Sequence, residues 1–376
     1  MKSNISLLVK ILLGCALLLF NVPNVKAEEV QSFEVDKFEA ENVAKKFIEY
    51  KMEVFKLQDK NYELKLLSEL YGLDDKMNSY YFQIYTKDAL VGYVMIAADY
   101  RFDPIFEYGI FENNYDYYYG KELANKTQKA YYLGGQGVKI SDSASSVEKE
   151  IYNKIQNIAN STSKNNGSLS NISIGIQHEK DTNPLWNDIH DSSKVGVQSV
   201  PPVTLNVTRV WQRQSGVTHP DSSCGPAAGA MIANYYKDIK GYKVRGKGSY
   251  SNSNANLINH LYFEMNSYAL GTNSYSLANG FQVHLNHDMT GWKYTRTTDP
   301  GYSNVTAPIR DGHPVATVWL ALGDEDYHWR VINGIDTDGG QYLSYKDSDG
   351  GSDNTGAHWV SWSTMVGKVH TVSFSR

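Results

Sequence analysis

From Asn160 to Ser173 the chain loses nearly all its apolar side chains, and Ser161, Ser163, Asn165, Asn166, Gly167 and Ser168 follow one another closely. Such a stretch cannot bury enough surface to offset the entropy of ordering it. A chain of 376 residues divided there is expected to fold as two units. Polar sequence continues to Pro201-Pro202, so the boundary falls between residues 165 and 202. The expected layout is a first unit over 28–160, a linker with a processing site over 161–202, and a second unit over 203–376.

Ahead of the first unit, Lys2 and Lys10 precede an apolar run from Ile11 to Phe20, and Val25-Lys26-Ala27 supplies small residues at a cleavable position. This pattern reads as a signal peptide over 1–27 of an exported, secreted protein of bacterial type. The run is shorter than the ~20 residues a spanning helix needs, so no membrane association is expected after cleavage. Leu12-Leu13-Gly14-Cys15 looks like a lipoprotein cleavage box, but more apolar residues follow it, which makes a lipid anchor through Cys15 the lesser reading. The net charge of -5 comes without a basic tract, which argues against nucleic acid as a partner.

Cleavage after Ala27 would leave Cys224 as the sole thiol of an exported protein. No internal disulfide is then possible, and an unpaired thiol in an oxidising compartment is a hazard unless it is used.

The first unit reads as helix plus sheet. Phe38, Val43, Phe47, Met52 and Phe55 recur at near-helical spacing over 38–56. Tyr80 to Tyr85 and Val91 to Ala97 are β-rich runs split at Lys87-Asp88, which suggests a hairpin. A second helix is expected over 145–158, where Val147, Ile151, Ile155 and Ile158 share one face. The second unit is expected to open with a strand from Val203 to Trp211.

Chemistry concentrates in that second unit. Ser222-Ser223-Cys224-Gly225-Pro226 leads into Ala227-Ala228-Gly229-Ala230-Met231, a polar start, a proline tolerated in a first turn, and helix formers. Cys224 is thus expected at a helix N-terminus, where backbone N–H groups and the dipole favour the thiolate and can hold an oxyanion. The same residues would also suit a tight helix start over a buried, inert thiol.

A thiolate nucleophile needs a base, and His328 is the strongest candidate among ten histidines. It opens the strand-like run to Ile335, followed by a turn over Asp336-Thr337-Asp338-Gly339-Gly340 and a second strand from Gln341 to Lys346. A two-residue loop at Thr337-Asp338 would set His328 opposite Asp347, and a four-residue loop would bring Asp349 opposite instead. Either acid could orient the imidazole. His313, between Gly312 and Pro314, is the runner-up base, and His219 is read as a loop residue. Asp347, Asp349 and Asp353 invite a calcium reading, but without a closing Glu and flanking helices they read as turn chemistry. A lone cysteine and scattered histidines give no zinc-ligand spacing, and no cofactor is expected.

The segment from Asp221 to Met231, followed by Tyr235-Tyr236, resembles the nucleophile segment of the C39-like cysteine peptidases of the papain-like superfamily. Gly312-His313-Pro314-Val315, His328 to Asp336 and Tyr345-Lys346-Asp347 follow in that family's order, with Ser348 where the family carries proline. The resemblance implies an α+β, papain-like catalytic domain with Cys224 as nucleophile, His328 as base and Asp347 as orienting acid. It also implies an upstream glutamine that donates to the oxyanion, for which Gln212 is the choice and Gln214 the alternative. Gly92 to Arg101 and Pro104 to Tyr108 look like the prodomain of streptopain-type cysteine peptidases.

Together these features describe a secreted cysteine endopeptidase made as a zymogen, acting on peptide or protein substrates and inhibited by its own α+β prodomain. A cell-wall peptide hydrolase or an acyltransferase could use the same triad. A non-catalytic binding module is the remaining rival, suggested by the aromatic cluster Tyr115-Asp116-Tyr117-Tyr118-Tyr119.

Overall fold

The computed structural model describes residues 32–55, 61–87, 89–110, 123, 127–134, 137–161, 176, 180–190, 201–269, 271–319, 328–349, 357–365 and 369–376. The signal peptide, the tyrosine cluster at 115–119, most of the linker and the acidic stretch beyond Asp349 lie outside the described residues. Contacts divide the chain after Glu34, and the elements of the fold belong to the unit Val35–Arg376.

The first region begins with helix α1, Lys37–Val54. Asp36 caps it by accepting from the Glu39 N–H at 2.8 Å, satisfying one of the orphan donors of a first turn. Its apolar face, including Val43, Phe47 and Met52, is buried. An antiparallel meander comes next, made of β1 (Glu63–Tyr71), β2 (Met77–Thr86), β3 (Ala89–Ala97) and β4 (Ile105–Ile110). β2 and β3 are buried on both faces, which explains their unbroken apolar and aromatic runs. β5 (Lys129–Tyr132) lies parallel to β1 and pairs with β6 (Val138–Ser141), ahead of helix α2, Ala144–Ser161.

Within the expected linker the chain forms a short helix α3, Leu185–His190. Trp186 there is buried, donates its indole N–H to the Phe102 carbonyl at 3.0 Å and packs edge-on against Tyr100. Residues 180–190 are therefore docked on the first region, which the polar composition around them did not reveal.

The second region opens with β7, reduced to Val203–Thr204, and carries helices α4 (Cys224–Asn234), α5 (Asn254–Glu264), α6 (Ser274–Leu285) and α7 (Tyr302–Arg310). Its remaining strands are β8 (Lys293–Thr298), β9 (Val315–Trp319), β10 (His328–Asp336), β11 (Tyr342–Asp347), β12 (Ala357–Ser361) and β13 (Val369–Ser375). The expected strand to Trp211 stops at Thr204: the Leu205 N–H still reaches the Asn333 carbonyl at 2.7 Å, but its own carbonyl accepts from the Val207 N–H at 2.7 Å, a tight turn, and from the Asn333 side-chain amide at 3.1 Å.

One mixed sheet joins all these strands in the order β6-β5-β1-β2-β3-β4-β12-β11-β10-β9-β13-β8, with β7 alongside β10, so the described chain is α+β. The two regions meet where β4 pairs with β12, Glu107 facing Val360 and Ile110 facing Ala357.

The β10–β11 hairpin departs from the two-residue-loop register; beside His328 its pairing is that of the alternative with Asp349 opposite, reached through a longer turn and a bulge. Asp336 pairs with Tyr342, leaving 337–341 as the turn, and Asn333 is an extra residue between the Ile332–Tyr345 and Gly334–Ser344 pairs. That bulge and the longer turn set Arg330, not His328, opposite Asp347.

Candidate active site

Cys224 is the first residue of α4 and is 7% exposed. The preceding Ser223 makes no side-chain cap; its hydroxyl donates instead to the His219 carbonyl at 2.6 Å. The cap residue therefore does not consume the N–H groups of the first turn, which are the groups an oxyanion would need. Gly225 permits this start to sit close to its neighbour, since a Cβ there would meet the Thr272 side chain at 2.7 Å. The Thr272 carbonyl in turn accepts from the Trp329 indole at 2.7 Å, tying the helix start to the strand that carries His328.

His328 begins β10. Its Nε2 lies 2.7 Å from Asp347 Oδ1, and the Cys224 side chain is near enough to favour the charged ring. The imidazole thus stands between thiol and carboxylate. Asp347 reaches it diagonally across the hairpin, the longer of the two neighbour distances on one sheet face. Asp347 Oδ2 accepts from Arg330 Nε at 2.7 Å, and Oδ1 also accepts the Asp349 N–H at 2.8 Å.

These contacts set the charges. Burial disfavours the imidazolium of His328, but the Asp347 charge, the hydrogen bond to Asp347 and the Cys224 side chain outweigh it, and the ring is pushed up to about 10. Burial would likewise raise Asp347; the positive charges of His328 and Arg330 win and hold it well below the ordinary carboxylate range. The stable form is an imidazolium facing an ionised carboxylate, the state in which the ring can hold a thiol's proton and release it to a leaving amine.

Gln212 is buried beside this group. Its backbone N–H donates to the Ser348 carbonyl at 2.9 Å, its Oε1 accepts from the Ser348 hydroxyl at 2.9 Å, and its Nε2 donates to the Pro220 carbonyl at 2.9 Å. Gln214 lies elsewhere, donating to the Trp211 carbonyl at 2.7 Å. Asp349 directs its carboxylate to Arg213, which also pairs with Asp221. His313 bonds the Tyr236 hydroxyl at 3.1 Å, and burial pulls its ring below the usual value. His219 stacks on Tyr262 at 4.5 Å. The structure thus brings Cys224, His328 and Asp347 together, sets Gln212 against Ser348 and Pro220, and gives the other candidates different partners.

Two residues of the network escaped the sequence reading. Arg330 was visible in principle, because strand alternation puts it on the same face as His328. Ser348 was noted only as a missing proline, and nothing in the sequence connects its hydroxyl to Gln212.

A family model described as Peptidase_C39 like family matches residues 204–370, a span that contains all of these residues. The match supports a C39-like cysteine peptidase. A search of curated proteins finds no match.

Proposed function

We propose that the protein is a secreted cysteine endopeptidase made as a zymogen. The observation that carries the proposal is the placement of His328, bonded to Asp347 at 2.7 Å and near enough to Cys224 at the start of α4 for that side chain to act on its charge. In this reading the His328 imidazolium already holds the proton given up by Cys224, the thiolate attacks the scissile carbonyl, and the tetrahedral oxyanion is held by N–H groups of the α4 first turn. The imidazolium then protonates the leaving amine, and water releases the acyl group from the Cys224 thioester by the reverse sequence. Gln212 is the side-chain oxyanion donor, with Ser348 orienting its amide through Oε1. Asp347 and Arg330 hold the charge and the ring orientation.

The first region is the inhibitor in this proposal, removed after export by cleavage in the polar stretch between 160 and 202. The docking of Trp186 favours the part of that stretch beyond His190, since cutting there leaves α3 with the region it packs against. A thiol-directed peptide probe should label Cys224 alone in the mature protein, and Cys224→Ser should lose peptide hydrolysis and accumulate at full exported length. Full turnover by Cys224→Ser would end the proposal.

A further inference from the structure

A second cluster of ionisable side chains lies at the ends of α5 and α6. His260 and Glu264 are one helical turn apart in the last part of α5, and His284 stands in the last turn of α6. One nitrogen from each histidine and one Glu264 oxygen all lie within 4.8 Å of one another. Their approach depends on Gly280: a Cβ there would stand 2.3 Å from the Glu264 carbonyl, so only glycine lets α6 touch the end of α5. His284 follows one turn later on the same face.

The contacts within this cluster leave one ring nitrogen without a hydrogen bond among the described residues. His284 Nε2 lies 2.8 Å from the Arg245 carbonyl, which can only accept, so Nε2 carries a hydrogen. In a neutral ring Nδ1 then points a lone pair at Glu264 Oε2, 2.7 Å away. His260 Nε2 is 3.1 Å from that same oxygen, is shut from solvent and has no hydrogen-bond partner. One cation can serve all three ligand atoms at once.

We propose that His260, Glu264 and His284 bind one divalent transition-metal ion of the zinc class. Two imidazoles and a carboxylate are a ligand set suited to that class, with a further position left for water. The Arg245 carbonyl is the outer partner that fixes the His284 tautomer, as a metal-bound imidazole requires. The carbonyl ends of two helices converge there, and their dipoles favour positive charge. The positive charge of Arg245 that acts on His260 is itself paired with Asp288 at 3.0 Å. The sequence hid this site because its third ligand comes from a different helix.

The role follows from position. The ion would pin α5 to α6, the helices packed behind α4, and so stabilise the folded chain by mass action without entering the peptidase chemistry.

The test uses the full chain carrying Cys15→Ser and Cys224→Ser, which removes both thiols. After chelator treatment and dialysis, zinc chloride titrated by calorimetry should bind with a stoichiometry of one and raise the melting temperature. Cobalt chloride should give ligand-field absorption without a thiolate charge-transfer band. His260→Ala, at a partly exposed position, should weaken binding by at least ~10-fold, since losing a ligand costs more than losing an outer partner. His328→Ala should bind as before. No stoichiometric binding, unchanged binding in His260→Ala, or loss of binding in His328→Ala would each overturn the proposal and leave the cluster as a proton-held ion pair. Should Glu264→Gln fail to fold, the His260→Ala titration decides.

Discussion

At one end of the β10–β11 hairpin Asp336 is paired with Lys51 of α1, Nζ to Oδ2 at 2.6 Å; at the other, Asp347 is paired with His328 at 2.7 Å. Both carboxylates are shut from solvent, and both pairs join a base to an acid far from it in sequence or in register. Their surroundings differ. The Lys51 side chain is 0% exposed, its ammonium faces the Phe47, Tyr108 and Tyr342 rings, and Asp336 also accepts from the Tyr108 hydroxyl at 2.5 Å. The His328 side chain is 19% exposed, and the Cys224 side chain acts on its charge. A buried acid–base pair marks chemistry only when one partner can reach substrate and a nucleophile. The Lys51 pair locks the first region onto the second; the His328 pair is left open at the rim.

The largest separation of the two should come from the carboxylates. Asp347→Asn is expected to lower kcat by about 100- to 10,000-fold in the processed enzyme, the scale of removing a positioned base or its orienting acid. Asp336→Asn should leave turnover of folded, processed enzyme within about twofold, well short of a catalytic group's effect. Comparable losses of turnover would erase the distinction.

Stability should show the opposite ranking. Asp336→Ala strands the Lys51 ammonium in an aromatic shell, and breaking a buried pair from one side costs about 3–5 kcal/mol. Urea unfolding of the full chain reads this directly. A loss below about 1 kcal/mol, the level of an exposed pair, would show that water reaches Lys51.

Alkaline pH sharpens the contrast further, because the two bases shift in opposite directions. The folded pKa of His328 lies above its ordinary 6.5, at about 10, so its stabilisation is complete below 6.5 and is lost as pH rises through about 10. Burial lowers Lys51 despite Asp336, so the folded state binds fewer protons there and stability gains as pH rises toward the ordinary 10.5. Melting temperatures of the wild type minus His328→Gln should therefore fall across that window, while those of the wild type minus Lys51→Met should rise. Slopes of the same sign would refute the charge assignment at one site.

The smallest effects belong to the rim. Ser348→Ala removes one hydrogen bond to Gln212 and should lower kcat/KM by about three- to tenfold, the ~1 kcal/mol of a single buried bond. Asp349→Ala loses a partly exposed pair with Arg213 and should cost less than ~1 kcal/mol of stability. A larger effect on turnover from Asp349→Ala than from Asp347→Asn would reassign the orienting acid.

Local pattern was enough to read α1, the β2–β3 hairpin, the start of α4 at Cys224 and the strands on either side of Asp336, because each depends on side-chain periodicity or first-turn chemistry within a few residues. Cys224 and His328 belong to this legible part, each sitting at the start of a strongly patterned element. Register did not. One extra residue at Asn333, held by the returning Leu205 backbone, and a longer turn at 337–341 decided which side chain faces Asp347. Pairing across the molecule was equally invisible: β4 with β12, Lys51 with Asp336, and His284 with the α5 pair all join residues whose sequence neighbourhoods say nothing of each other. Short-range sterics and hydrogen bonding write helices and strands into the chain, whereas long-range packing chooses among registers and partners that differ little in local energy.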